Sequence, residues 1–155
     1  MGFKLPNGAR KYYEAVNARV DGGIKFKTMF DIYYLCLMLG FDKAKIGLKK
    51  NLESGDFIDY YPEQYADKNK LIAGLLIDAE MRHNKIITED KQRVENLMIN
   101  VIDQHSLTGL NSTGIDYLNL YAVTGIEEIL KFIAITTELE TFLVQYFELL
   151  NVSVI

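Results

Sequence analysis

Apolar residues recur along this chain at the three- and four-residue spacing of helix faces, and almost nowhere with the alternation of a strand. Between positions 8 and 20, Ala9, Tyr12, Tyr13, Val16 and Val20 fall near one stripe that Asp21-Gly22-Gly23 ends. Thr28 has the chemistry of an N-cap, and Asp31, three residues on, complements the positive end of the helix it opens. From 29 to 39 the chain is apolar nearly all round, which places that helix in mid-core, and Gly40 is positioned to stop it. Positions 42–62 are irregular, punctuated by Gly47, Gly55 and Pro62. Helical spacing returns over 65–84 through Leu71, Ile72, Leu75, Leu76, Ala79 and Met81. It appears again after a Thr88 cap, through Val94, Leu97, Met98, Val101 and Ile102. Beyond a turn at 109–114, Ile115, Leu118, Tyr121 and Ala122 lead into Thr124-Gly125-Ile126-Glu127. That tetrad is either a capping box opening a new helix or a glycine kink inside a longer one. A last helix is predicted over 138–150.

The pattern predicts an all-α fold, a compact single-domain bundle of about six helices with 29–39 at its centre. Only 24–27 and 152–155 lean towards β, and residues 1–7 and 152–155 read as flexible ends. Length agrees, since 155 residues make one domain, able to bury roughly 68–70% of its unfolded surface without staples. An apolar share of 49% and a charged share of 25% exclude a disordered chain, and one cysteine excludes an internal disulfide or a zinc cluster. The first residues lack the apolar region of a signal peptide, and Pro6 stands where N-myristoylation needs Ser or Thr. No uninterrupted run of 18 apolar residues occurs, so the expectation is a cytoplasmic protein with no membrane span.

The net charge of −4 conceals a gradient. Residues 1–50 carry ten Lys and Arg against four Asp and Glu; residues 101–155 carry one against seven. A basic first third suits phosphate, an acidic partner or the protein's own acidic end.

Catalytic chemistry finds little support. Glu80-x-x-His83 is half of a di-iron ligand set, but His105 has no glutamate three residues before it. Cys36 lies in Tyr34-Leu35-Cys36-Leu37-Met38, a greasy setting for a core cysteine and not for a thiolate. Neither G-x-S-x-G nor a phosphate-binding loop is present, and Asp56 with Asp59 is a bare acidic pair in a loop. The expectation is therefore no enzyme, no cofactor and no metal.

Two binding surfaces remain. Tyr146, Phe147, Leu149, Leu150, Val152, Val154 and Ile155 give the chain an aromatic and aliphatic end, a candidate protein interface that could equally complete the bundle. Lys25, Lys27, Lys43, Lys45, Lys49 and Lys50 flank the central helix as a candidate nucleic-acid contact, with Tyr60, Tyr61 and Tyr65 as stacking platforms.

Three segments in order carry a family resemblance. They are Phe26-Lys27-Thr28-Met29-Phe30-Asp31 running to Leu39-Gly40-Phe41, then Ile72-Ala73-Gly74-Leu75-Leu76-Ile77-Asp78-Ala79, then Tyr117 to Leu130 with Tyr121-Ala122-Val123-Thr124-Gly125 inside it. Over residues 26–130 the chain resembles small proteins encoded in bacterial DNA phosphorothioation (dnd) defence clusters. The resemblance carries no catalytic residue. It implies a non-catalytic adaptor of an anti-phage or DNA-modification system, its partner a larger ATPase or nuclease component or a second copy of itself. The alternative is a subunit that touches nucleic acid through the basic region 25–50.

Overall fold

The computed structural model describes residues 2–154, with side chains through Leu150. Its described residues form six α-helices: α1 (Ala9–Asn17), α2 (Met29–Lys43), α3 (Asn69–His83), α4 (Lys91–Val101), α5 (Ser112–Phe132) and α6 (Leu139–Val154). Two short 3-10 turns, Lys49–Asn51 and Glu63–Lys68, lie between α2 and α3. No strand forms among the described residues; three isolated antiparallel bridges are the only β pairing. The all-α bundle expected from the periodicity is the fold observed, and one continuous apolar core runs through it.

The most extensive packing in the molecule is between α2 and α5, and glycine sets it. A Cβ on Gly40 would sit 1.9 Å from the carbonyl oxygen of Tyr121, and one on Gly125 would sit 1.7 Å from that of Cys36. The pairs 36–125 and 40–121 advance in opposite directions, so the two helices run antiparallel with backbone against backbone. This corrects one sequence expectation and decides between the two alternatives of another. Gly40 does not stop α2, which continues to Lys43 and ends where Ala44 turns left-handed at φ 50°. Gly125 opens no new helix: α5 is continuous for 21 residues, and Asn111 caps it by accepting from Gly114 N–H at 2.9 Å. Likewise Asp90, not Thr88, caps α4.

The N-terminal segment is also corrected. Phe3 and Leu5 are fully buried, and Phe3 exchanges backbone hydrogen bonds with Ile58 and Phe57 at 2.8 and 2.9 Å. Phe3 then anchors an aromatic cluster with Phe30, Tyr33 and Tyr61. The segment 24–27 forms no strand, and 152–154 continue α6; Ile155 lies outside the described residues.

Tyrosine hydroxyls staple the bundle. Tyr12 donates to Ile133 O at 2.5 Å, Tyr33 to Asn119 Oδ1 at 2.8 Å and Tyr146 to Leu35 O at 2.6 Å. Tyr65 donates to Asp31 Oδ1 and Tyr121 to Glu80 Oε1, both at 2.6 Å. Burial raises the pKa of all five, and the carboxylates raise Tyr65 and Tyr121 further. In the folded chain these phenols keep their protons to higher pH than in the unfolded chain, where they titrate near 10. Above that pH the unfolded state binds fewer protons, so stability must fall as pH rises. Thermal midpoints are expected to hold up to about pH 9 and to drop steeply above 10. A flat profile through pH 11 would contradict these contacts.

Candidate functional site

An open groove of about 640 Å³ lies between α3 and the C-terminal half of α4 with the loop after it. Its apolar walls are Ala73, Gly74 and Ile77 from α3, Met98 from α4 and Ile102 just beyond its end, and Lys70 is the charged residue of the lining. The sequence explains why it stays open. On α3, Ile72, Leu76 and Ala79 are buried in the core, while Ala73 and Ile77 are half-buried, packing against it with one side and lining the groove with the other. On α4 only Val101 is fully buried, so Met98 projects into the groove and Ile99, 68% exposed, stands beside it. A short second cavity, sharing Met98 and Ile102, extends the apolar surface towards His105. Sequence reasoning placed Met98 and Ile102 at helical spacing and assigned them no surface role. The missed signal is that both helices carry more apolar positions than one buried face can use.

The basic residues do not gather into one patch. Lys25 and Lys27 precede α2, whereas Lys43 and Lys45 lie at its far end, separated by a helix about 22 Å long. Lys45, Lys49 and Lys50 are exposed on the segment that follows. Lys43 is half-buried and shares a cavity with Glu128 and Glu148, so it sits against the chain's own acidic end. Of the three tyrosines considered as stacking platforms, Tyr61 is buried and Tyr65 is tied to Asp31; only Tyr60 stands clear of the surface.

The C-terminal candidates divide by helix face. Tyr146 and Leu149 are buried against the core and Leu150 is half-buried, whereas Phe147 is 60% exposed. The side chains of Val152 and Ile155 lie outside the described residues. One face of the aromatic end thus completes the bundle, and the other, with Phe147, is exposed.

The catalytic candidates separate as well. Glu80 is buried, accepting from Tyr121 and from Asn84 Nδ2 at 3.3 Å, whereas His83 lies outside against Ala44 O at 3.2 Å. Asp56 accepts from Lys4 Nζ at 2.7 Å and from Gly2 N–H at 2.9 Å. Cys36 is fully buried and its thiol pKa is pushed up by desolvation. No cluster of three or more His, Cys, Asp or Glu suited to a metal occurs among the described residues. No helix among them is long and apolar enough to cross a membrane.

The fold and surface define an all-α bundle with an open apolar groove. Compared with protein-family models, curated proteins and solved structures, the chain matches none.

Proposed function

We propose that this chain is a non-catalytic adaptor that docks onto another protein through apolar surface. The observation that supports this most is the α3–α4 groove, where Ala73, Ile77, Met98 and Ile102 line one continuous concave face beside exposed Ile99. A bundle with a well-filled core has no packing reason to leave such a face open, and contiguous exposed apolar patches mark interaction sites. The resemblance of residues 26–130 to proteins of phosphorothioation clusters supplies a setting: an accessory subunit of an anti-phage or DNA-modification system, working beside a larger ATPase or nuclease.

The test is retention of protein from an extract of the source cell on the immobilised chain, compared with a Met98→Glu, Ile99→Glu double variant. Both positions are exposed, so the variant should fold. Placing two carboxylates in an apolar contact should reduce retention by at least about tenfold. Equal retention by the two proteins, or none by either, would overturn the reading.

One observation favours a second reading. Lys25, Lys27, Lys45, Lys49 and Lys50 are exposed, and none of them is among the ion pairs of the described residues. Lysines of that kind would hold duplex phosphate without reading sequence, and affinity would fall with salt at a log–log slope of about −0.9 for each contact.

A further inference from the structure

The groove has a counterpart on the same chain. The outward stripe of α6 consists of Glu140, Val144, Phe147 and Glu148, which fall within about 100° of arc, opposite the buried Phe142, Tyr146 and Leu149. Val144 and Phe147 are 59% and 60% exposed. The stripe is therefore a convex apolar ridge with a carboxylate at either end. No Lys or Arg follows Lys131 in the sequence, so α6 carries no cation of its own; Lys43 shares a cavity with Glu148 and Arg19 lies within electrostatic reach of Glu140, but neither carboxylate is in an ion pair among the described residues.

The groove is complementary in three respects. It is concave where the ridge is convex. Its one charged lining residue is Lys70, which is exposed and forms no ion pair among the described residues. It also has vacant room over Gly74, where a Cβ would meet no atom within 4 Å. Lengths agree: Lys70 to Ile77 rises about 10 Å and Glu140 to Glu148 about 12 Å.

We propose that the α3–α4 groove of one copy receives the α6 ridge of another. This rests on the adaptor reading and names a second copy as the occupant. Glu148 pairs with Lys70, Phe147 fills the space over Gly74, and Val144 lies against Ile77 and Met98, with α6 antiparallel to α3. Groove and ridge are different surfaces, so the contact is heterologous: copies join head to tail, into a closed ring or an open chain.

That asymmetry supplies the experiment, the molar mass of purified chains by light scattering up to about 200 µM, a range that captures weak contacts. Wild type is expected to grow in mass with concentration. Gly74→Arg fills the groove and leaves the ridge intact; Phe147→Lys replaces the ring that fills the space over Gly74 with a charge and leaves the groove intact. Each alone should remain at the 17.7 kDa of a single chain. Mixed in equal amounts they retain one good groove and one good ridge, so the mixture should form a dimer and nothing larger. Helix content and thermal midpoint report whether each variant folds, and Val144→Lys replaces Phe147→Lys if that one does not.

A wild type that stays monomeric, a variant that still assembles alone, or a mixture that stays monomeric overturns the proposal. The adaptor reading is judged separately. A monomeric wild type that still retains a protein through Met98 and Ile99 removes self-docking alone, and a monomer that retains nothing removes both.

Discussion

Replacing Gly125 with alanine is expected to lower the stability of the bundle by about 3 kcal/mol or more, at the upper end of overpacking costs. The new methyl would lie 1.7 Å from the carbonyl oxygen of Cys36, and Gly40→Ala would put one 1.9 Å from that of Tyr121. Backbone carbonyls cannot rotate aside as a side chain does, so α2 and α5 would have to separate and open gaps along the whole contact. Gly74→Ala is the control. It makes the same chemical change in a helix, but its methyl meets nothing within 4 Å, so helix propensity alone should stabilise by about 1 kcal/mol. Urea midpoints of the three variants should therefore move in opposite directions. Gly125→Ala and Gly74→Ala shifting alike would show that the helices do not cross at these glycines.

Asn119→Leu is the second large effect. This buried amide accepts from Tyr33 OH at 2.8 Å and from Lys4 N–H at 3.1 Å, and it donates to Gly2 O at 3.3 Å. Leucine keeps the branched heavy-atom shape, with bulkier methyl ends, but strands all three partners, in a place where an unmet polar group costs about 1–3 kcal/mol. A loss near 3 kcal/mol is expected, together with release of the N-terminal segment, because Asn119 is what ties residues 2–4 to α5. Amide exchange at Lys4 and Phe3 should accelerate far more than exchange in α6. Uniform acceleration throughout the bundle would instead mean that Asn119 only fills space. Tyr33→Phe in the same background should add little, since its partner is already gone.

Both predictions concern features that the chain shows locally but whose meaning is tertiary. Apolar periodicity identified the helices because core burial and helical spacing impose the same pattern. Glycine misled at position 40 and left position 125 undecided. In isolation it signals an end or a kink, and nothing local reveals that another backbone will lie against it. Thr88 has cap chemistry no worse than that of Asp90, and the choice was made by where the preceding turn delivers the chain. Phe3 and Leu5 give too short an apolar pair to read as core, and they become core through pairing with 52–58.

The surfaces were legible only in part. The basic run 25–50 is visible in the sequence, but whether its ends converge depends on the course of α2, which holds them apart. The apolar end of the chain is visible too, though dividing it into a buried face and an open face needs the orientation of α6. The α3–α4 groove escaped notice because a helix with excess apolar positions looks the same whether its second face meets a neighbour or solvent.

The claim that apolar surface, rather than charge, does the docking is tested most directly by a salt series on wild-type capture with competing duplex DNA present. Retention that holds or strengthens between low and high salt and ignores the duplex is the predicted result, since apolar burial is not screened. Retention that collapses with rising salt and is displaced by duplex would contradict it, and would assign the work to the lysines of 25–50.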